Sequence, residues 1–207
     1  MKVGSMETIS IVPIENGDIH DAAKVVARAF APSPFTMAMS RDKEKSEQGM
    51  SRVFKVMFRY FPGQVFVAKE GGHVVGVMRM VEWPRCQMTP LQAMRLLPTM
   101  FSMGPGAGLR TMKGRGTWAK HDPKEPHWHL DPLTVVPERQ GQGIGTRLLS
   151  EFCSRVDKTG LAAYLETDRP ENVRLYERFG FKVTREITVI GVPCWFMWRA
   201  PQQKTTD

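Results

Sequence analysis

Apolar and polar residues alternate in several short stretches of the chain, and a period of two is typical of a β-strand with one buried face. Other short stretches are apolar and β-branched, which also favours strands. Most of them are bounded by glycine, proline, asparagine or aspartate, the residues that form turns. We therefore predict strands over residues 8–14, 64–69, 73–82, 127–136, 161–167, 181–189 and 194–199.

Between these strands, apolar residues recur every three to four positions, as on one face of an α-helix. Asp18 is expected to cap the first helix, and a glycine-rich run ending at Gly108 is expected to break the middle region. The order of elements predicts a single domain over residues 1–207, with a helical insertion at 83–120 and a flexible tail at 201–207. Helices are predicted over residues 19–31, 43–61, 89–103, 145–159 and 170–179, with a further short helix ending near Trp118.

The chain has 207 residues, of which 42% are hydrophobic and 24% are charged. This length and composition are typical of a globular domain with one full core. No apolar run approaches the roughly 20 residues that cross a bilayer, and the first residues lack the apolar core of a signal peptide. The three cysteines, Cys86, Cys153 and Cys194, are odd in number, lack CxxC spacing and have no obvious histidine partner. We therefore expect no membrane association, a reducing cytoplasmic location, and neither a zinc site nor a disulfide framework. Cys153 is interpreted as a packing residue.

The formal net charge of +8 predicts an affinity for anions. The basic residues are scattered, however, and form only one loose cluster, at Arg110, Lys113, Arg115 and Lys120. No base-stacking aromatic or groove-reading motif accompanies them. The pattern therefore argues against a dedicated nucleic-acid-binding role.

The segment LTVVPERQGQGIGTRLL carries the strongest chemical signal. An apolar strand breaks at Pro137, turns through Gly141, Gly143 and Gly145, and continues as an amphipathic helix. The first N–H groups of a helix have no internal partner and lie at its positive end, and glycine lets an anion approach them closely. A dinucleotide fingerprint fails, because Thr146 stands where its third glycine would be. A phosphate loop of the GxxxxGK type fails because no Gly-Lys pair follows.

The strand predicted at 127–136 has an irregular pattern. His127, His129 and Asp131 share one face, but the apolar Leu133 would then lie on that same face. A β-bulge is therefore predicted near Pro132, where it would free backbone N–H groups in mid-strand. We interpret His127 and His129 as satisfied surface groups.

Two motifs carry a resemblance to the GNAT superfamily of N-acyltransferases. Gln140, Gly143 and Gly145 form the QxxGxG pattern of its acetyl-CoA pyrophosphate loop. The sequence NVRLYERFGF, beginning at Asn172, matches its NxxxYxxxGF pattern. Residues 123–201 are most similar to the puromycin N-acetyltransferase family, through PKEPHW, RQGQGIG and LETDRPENVRLYERFGF. The resemblance implies an α/β (α+β) GNAT fold, with a mixed, mostly antiparallel sheet of about six to seven strands flanked by helices.

The resemblance also implies that acetyl-CoA binds as a cosubstrate at the glycine loop, along the preceding strand and beside the helix at 170–179. Leu133 and Val135 would contribute backbone groups, and Arg139, Arg147 and Arg178 could approach phosphates. The residues implied for binding acetyl-CoA are Leu133, Val135, Val136, Gln140, Gly141, Gln142, Gly143, Ile144, Gly145, Thr146, Asn172 and Tyr176.

For the chemistry, the resemblance implies direct attack by a neutral amine on acetyl-CoA, with no covalent enzyme intermediate and no metal. Tyr176 would be the general acid for the departing thiolate. Glu166 is the first candidate for the general base, acting directly or through a water. Glu82, His129 and Asp131 are the alternatives.

The acceptor is less determined. The resemblance favours a primary amine of a small molecule; a protein or peptide amine, or a CoA-binding regulator without turnover, are the alternatives. Residues 83–120 match the resemblance poorly and are either a pliable acceptor-binding flap or a loosely packed insertion. Phe35, Met37 and Met39, beside a proline break, either line a pocket or pack beneath a loop. A homodimer is left open.

Overall fold

A computed structural model describes residues 8–40, 42–101 and 104–202. Two sequence predictions fall partly outside this range. They are the end of the helix expected to reach Met103 and most of the tail, residues 203–207.

Within the described residues, seven strands form a single sheet. They are β1 (Ser10–Pro13), β2 (Gln64–Glu70), β3 (His73–Glu82), β4 (His127–Val135), β5 (Ala162–Thr167), β6 (Lys182–Val189) and β7 (Val192–Arg199). Their order across the sheet is β1-β2-β3-β4-β5-β7-β6. Every neighbouring pair is antiparallel except β4 and β5, which are parallel. The mixed, mostly antiparallel sheet is thus confirmed.

Seven α-helices flank this sheet in the described part of the chain. They are α1 (Ile19–Phe30), α2 (Pro34–Met39), α3 (Lys43–Tyr60), α4 (Pro90–Phe101), α5 (Pro105–His121), α6 (Ile144–Thr159) and α7 (Pro170–Glu177). α1 and α6 pack on β3 and β4, and α3 packs on α1. None of these helices combines the length and the apolar content that crossing a bilayer demands.

The close approach of α6 to the sheet depends on a glycine of β3. A Cβ atom at Gly76 would lie 3.0 Å from a methyl carbon of Leu148 and 3.3 Å from one of Ile144. Since both of these side chains are almost fully buried, neither has space to retreat. Gly76 therefore fixes the position of the first turn of α6 above the central strands.

The expected cap at Asp18 is wrong. The Asp18 side chain makes no capping hydrogen bond to α1. It accepts a hydrogen bond from the backbone N–H of Glu15 at 3.0 Å and lies 2.8 Å from the ammonium of Lys69. Asp18 thus stabilises the 3-10 turn before α1 and ties it to β2.

The glycine-rich break predicted as far as Gly108 is shorter than expected: Gly104 separates α4 from α5 with a φ of +101°, and α5 already begins at Pro105. The glycines inside α5 serve close packing. A Cβ at Gly108 would lie 2.9 Å from the ring of Phe101 in α4, and one at Gly114 would lie 2.7 Å from the ring of Phe35 in α2. These glycines let α5 approach both neighbouring helices.

The predicted bulge in β4 is confirmed. Met78 of β3 is opposite Leu133, whereas Met80 is opposite Leu130, so β4 has one more residue than β3 in this interval. The buried Arg79 holds the bulge in place, since it donates hydrogen bonds to the carbonyl oxygens of Asp131 at 3.0 Å and Pro62 at 2.6 Å.

The sheet opens between its two central strands. β4 pairs with β5 only over His127–His129, opposite Ala162–Tyr164, whereas β4 pairs with β3 along most of its length. Beyond His129, the edge of β4 that faces β5 has no strand partner. Because backbone polar groups need partners when they are removed from water, this free edge is suited to receive a ligand.

Candidate active site

Two cavities lie where β4 and β5 separate. The outer cleft has a volume of about 510 Å³ and lies at the N-terminal end of α6. The inner cavity has a volume of about 170 Å³ and lies between the sheet and helices α2, α3, α4 and α5. The two share a wall made of Phe30, Leu133, Arg169, Asn172 and Tyr176.

Glycines form the end of the outer cleft that lies against α6. Gly141 and Gly143 have φ angles of +73° and +80°, in the left-handed region that other residues rarely adopt. A Cβ atom built on either would meet nothing within 4 Å, so the space above them is open. The unpaired N–H groups of the first turn of α6 lie at this end of the cleft, which is a suitable place for an anion. Gly145, Ile144 and Thr146 also line it.

The free edge of β4 forms a second side of the outer cleft. The N–H of Val136 donates to the carbonyl of Val75 on β3 at 2.9 Å. Because successive residues of a strand direct their backbone groups to opposite sides, Leu133 and Val135 direct theirs away from β3, towards the opening. Gln140 reaches this edge, donating from its side chain to the carbonyl of Val135 at 2.9 Å.

Two residues implied for binding acetyl-CoA do not line the outer cleft. The backbone N–H of Val136 is already used in the sheet. The exposed side chain of Gln142 turns back and donates to the carbonyl of Glu138 at 3.3 Å. The remaining residues of that set all line the cleft.

Tyr176 lies on the wall between the two cavities. Its side chain is 6% exposed, and its hydroxyl makes no hydrogen bond to another described residue. Burial, together with the nearby charge of Asp168, raises the pKa of Tyr176 to about 12. The phenol is therefore neutral at physiological pH and has a proton to donate. Asn172, one turn earlier on α7, is hydrogen-bonded to the hydroxyl of Thr167 at 3.4 Å.

The inner cavity has an apolar side built from helices outside the sheet, among them α2, α3, α4 and α5. Phe35 and Met39 of α2, Leu96 of α4 and Trp118 of α5 all line it. The rings of Phe35 and Trp118 stack, with their centroids 4.2 Å apart. The pocket-lining interpretation is therefore correct for Phe35 and Met39, but not for Met37, which is 40% exposed and does not line the cavity.

The opposite side of the inner cavity is acidic. Asp131, Glu166 and Asp168 line it, together with the cations Arg115 and Arg169. Asp168 also holds the helical side in place, since its carboxylate accepts a hydrogen bond from the backbone N–H of Phe35 at 2.8 Å. The cavity thus offers negative charge to a cationic ligand whose apolar part contacts the helices.

Glu166 is paired with a histidine behind the cavity wall. Its carboxylate oxygen lies 2.7 Å from Nε2 of His129. Burial alone would favour the neutral ring, but the charge of Glu166, with hydrogen bonds to Cys86 and Glu166, holds the pKa of His129 well above its ordinary value. Of the alternative bases, Asp131 lines the inner cavity, whereas the exposed Glu82 does not.

The sequence profile of the Acetyltransferase (GNAT) family matches residues 29–181, which is more than half of the chain. The chain belongs to the GNAT acetyltransferase family. The matched range includes the glycine loop, the free edge of β4 and the whole of α7.

Curated relatives of this GNAT chain match it over shorter stretches. An uncharacterized N-acetyltransferase of Schizosaccharomyces pombe is 30% identical over 82 residues, which are 38% of this chain and 33% of that protein. An acetyltransferase of Agrobacterium fabrum is 41% identical over 56 residues, 26% of this chain and 41% of the relative. The match therefore spans less than half the length of either relative.

Solved GNAT structures share the fold over nearly the whole chain. Histone acetyltransferase HPA2 and related acetyltransferase from Corynebacterium glutamicum superposes with a TM-score of 0.70 at 21% identity, covering 96% of this chain and 99% of that one. A GNAT acetyltransferase from Brucella melitensis in complex with acetyl-CoA gives 0.54 at 19% identity, covering 97% and 94%. The paia N-acetyltransferase from Thermoplasma acidophilum in complex with coenzyme A gives 0.56 at 14% identity, covering 93% and 99%. At these identities the similarity shows the fold.

Of the three arginines expected to approach phosphates, Arg139 and Arg178 line the outer cleft of the GNAT chain and Arg147 does not. Arg169 lines the cleft as well, and Arg139 is also paired to Glu70. Arg147 points elsewhere, since it donates to the carbonyl of Ile9 at 2.7 Å. Arg147 is therefore not placed to approach a ligand in the cleft, and Arg169 is an addition that the sequence motifs did not indicate.

The surface interpretation of the two histidines is wrong, as is the expectation that no cysteine has a histidine partner. His127 is fully buried and His129 is 9% exposed. Cys86 Sγ lies 3.9 Å from Nε2 of His127. Burial lowers the pKa of His127, so this ring is neutral. Cys153, by contrast, is buried on α6, as expected for a packing residue.

Several residues of the inner cavity were missed by the sequence reasoning. Asp168 and Arg115 line it, and Asp122, at the end of α5, has its pKa raised to about 6 by burial and by the charge of Glu166. Asp168 stands directly after a predicted strand, and Asp122, which is not part of the cavity lining, lies in the segment after a predicted helix. That position was the available signal, since functional side chains concentrate where elements end in loops.

Proposed function

We propose that this GNAT chain is an acetyl-CoA-dependent N-acetyltransferase that moves the acetyl group to a primary amine of a small molecule. The amine attacks the thioester directly in a ternary complex. The outer cleft takes the coenzyme and the inner cavity takes the acceptor. A protein or peptide acceptor is the second candidate.

The observation that carries this proposal is the position of Tyr176 on the wall common to both cavities. A group that serves the leaving thiolate has to reach the coenzyme and the reacting carbon at once. Leu133 lies on the same wall, where the backbone of the free β4 edge is suited to polarise the thioester carbonyl. Acetyl-CoA and coenzyme A bound to the Brucella and Thermoplasma proteins support a coenzyme site in this fold.

The leaving group requires a proton or a strong hydrogen bond. The amine nitrogen forms a bond to the acetyl carbon, the C–S bond breaks, and the electron pair stays on sulfur. A thiol has an ordinary pKa near 8.5, about 3.5 units below that of the buried Tyr176 phenol. Tyr176 therefore acts first as a hydrogen-bond donor to the developing thiolate. After the C–S bond breaks, the acetylated nitrogen carries one excess proton, which ends on the thiolate sulfur, so that Tyr176 is again a neutral phenol when the products leave.

The amine must be neutral before it attacks, and Glu166 is our candidate for the base. It lines the inner cavity and its other contact, with His129, fixes the orientation of the carboxylate. Glu166→Gln keeps the shape of the side chain but removes the proton acceptor. We expect kcat to fall by about 10²- to 10⁴-fold, whereas Glu44→Gln, on the exposed face of α3, should leave kcat unchanged. An unchanged kcat in Glu166→Gln would show that Glu166 is not the base.

The acidic side of the inner cavity supports a cationic acceptor. Asp131, Glu166 and Asp168 face the cavity, so an ammonium group is drawn in before it is deprotonated. Four helices, α2, α3, α4 and α5, enclose the other side, which supports a small molecule over an extended peptide. Puromycin is an aminonucleoside of this kind, and the resemblance in residues 123–201 supports including it among the acceptors. The free cysteines support a reducing, cytoplasmic setting.

A thiol-release assay with acetyl-CoA tests the proposal. The panel contains puromycin, aminoglycosides, polyamines, amino acids and short peptides. We expect saturable release of CoA with at least one small primary amine, and N-acetylation confirmed by mass spectrometry. Release only with peptides would favour the second candidate. Tight CoA binding with no release for any amine would indicate a regulator without turnover.

A further inference from the structure

We propose that Cys86, His127 and His129 form a binding site for a zinc ion. One ligand atom from each of these side chains lies within 4.8 Å of the other two. None of the three ligands lines either cavity, although Glu166 of the inner cavity contacts His129, and the site does not depend on the proposed acetyl transfer.

The distances are close to those of a bound ion. Around a tetrahedral zinc, with bonds of about 2.3 Å to sulfur and about 2.0 Å to nitrogen, the ligand atoms lie about 3.3–3.6 Å apart. Cys86 Sγ and His127 Nε2 are already 3.9 Å apart. Side-chain rotation alone can therefore close the site.

The backbone brings the three side chains together before any metal binds. His127 and His129 are two positions apart on β4, so their side chains lie on the same face of the sheet. Cys86 lies in the turn that follows β3. The N–H of Trp83 in this turn donates to the carbonyl of His127 at 2.9 Å, and the N–H of Gln87 donates to that of Pro84 at 3.1 Å. The turn is thus attached to the strand that carries the histidines.

Each histidine also has a hydrogen-bond partner on its other ring nitrogen, as metal-binding histidines usually have. The Nδ1–H of His127 donates to the carbonyl of Glu125 at 2.7 Å, which leaves the lone pair of Nε2 facing Cys86. Glu166 holds the ring of His129 from 2.7 Å. A carbonyl or carboxylate in this position orients the imidazole and raises its basicity. The negative charge of Glu166 also favours a cation in this buried cluster.

The ligand set selects the metal class. One thiolate and two imidazoles suit zinc and related borderline metals, whereas magnesium and calcium prefer oxygen ligands. Three protein ligands leave the fourth tetrahedral position open, as in zinc sites that bind water. Tyr164 is packed against both histidine rings, at centroid distances of 5.4 and 5.1 Å, and its buried hydroxyl has no hydrogen-bond partner among the described residues. A metal-bound water would give a polar partner to this part of the core.

Metal binding is measured directly on the full chain. After chelator treatment and desalting, the protein is titrated with zinc in competition with a chromophoric chelator, and the bound metal is counted by mass spectrometry. We expect one zinc per chain. Cobalt(II) in its place should give the intense visible bands of a tetrahedral ion and a thiolate-to-cobalt charge-transfer band.

Single substitutions test whether Cys86 and His127, rather than other cysteines and histidines, bind the metal. Cys86→Ala should abolish the charge-transfer band, and His127→Ala should weaken zinc binding by at least about 100-fold, more than loss of an outer partner does. Cys153→Ala is the matched control and should retain both. A charge-transfer band that persists in Cys86→Ala, or wild-type protein that retains no zinc after desalting, would overturn the site.

A measurement on the wild-type chain covers the case in which a variant fails to fold. Cys86 is partly exposed, whereas Cys153 and Cys194 are buried. We expect one equivalent of zinc to slow alkylation of Cys86 by iodoacetamide at least tenfold, with the modified residue identified by peptide mapping. Equal alkylation of Cys86 with and without zinc would show that the metal is not held by this thiol, and the proposal would fail.

Discussion

The outer cleft and the inner cavity share five residues but are built in different ways. Most residues of the outer cleft come from one continuous stretch, β4 with the glycine loop and the first turn of α6, and they include three glycines and the free backbone edge of β4. The inner cavity is mainly side chains from α2, α3, α4, α5 and the ends of β4 and β5. The first needs glycines at a fixed spacing, so it leaves a motif in the sequence. The second needs only shape and charge, which many sequences can supply, so it leaves none.

This contrast predicts that changes in the outer cleft affect the coenzyme, whereas changes in the inner cavity affect the acceptor. The largest effect is expected at Gly143. Gly143→Asp places a carboxylate in the open space where a pyrophosphate would lie, and we expect coenzyme A binding, measured by calorimetry, to be lost. Gly143→Asn is the matched control, since asparagine has the same shape, tolerates a positive φ and carries no charge.

Because the control differs only in charge, it distinguishes repulsion from strain. Gly143→Asn should lose less affinity than Gly143→Asp by at least about tenfold, as expected for one close like-charge contact. Normal affinity in Gly143→Asp would mean that the glycine loop does not hold the coenzyme phosphates.

A substitution on the wall shared by the two cavities should lower kcat without weakening coenzyme binding. Tyr176→Phe removes one hydroxyl, and we expect kcat to fall at least tenfold, because a donor to a developing negative charge is lost. The KM for acetyl-CoA should change little. Tyr60→Phe is the same substitution at an exposed position and should have no effect. An unchanged kcat in Tyr176→Phe would remove the acid role.

A change confined to the inner cavity should spare the coenzyme. Trp118→Leu removes the ring that stacks on Phe35. We expect kcat/KM for the acceptor to change by about tenfold, the scale of one aromatic contact, while the dissociation constant for coenzyme A stays the same. Trp195→Leu, on β7 outside both cavities, is the control. Equal losses for both substrates in Trp118→Leu would contradict the division into two sites.

The smallest expected effect concerns alkaline pH. The neutral phenol is the active form of Tyr176, and its pKa is raised to about 12, so ionisation removes the donor only near that pH. Between about pH 8 and about pH 10, where an ordinary tyrosine begins to ionise, kcat should fall by less than twofold. A falling limb near pH 10 that is absent in Tyr176→Phe would show that the phenol is not shielded by its surroundings.

The fold could largely be predicted from sequence because its strands carry clear alternation. The predicted strands 64–69 and 73–82 correspond to β2 and β3, with the hairpin at Gly71 and Gly72. The errors lie where tertiary packing decides. Gly108 was expected to end a helix-breaking run, but it lies inside α5, where its missing side chain makes room for the ring of Phe101.

The candidate site also has parts that could be predicted from the sequence and parts that could not. The glycine loop and α7 were predicted because each motif is local in sequence. Cys86 and His127 are 41 positions apart, and His129 and Glu166 are 37 apart. Their contacts depend on how the insertion returns to β4 and on the parallel pairing of β4 with β5. Neither is visible in hydrophobic periodicity, so these pairs could not be predicted.

The short pairing of β4 with β5 has a mechanical consequence. Three residue pairs, His127–His129 with Ala162–Tyr164, form the seam between the two halves of the sheet. Because both cavities lie where β4 and β5 separate, a rotation of one half against the other at this seam would change the width of both together. His127 and His129 of the proposed zinc site lie on these pairs and Cys86 lies in the turn after β3, so a bound ion would join that turn to the seam and restrain such a rotation.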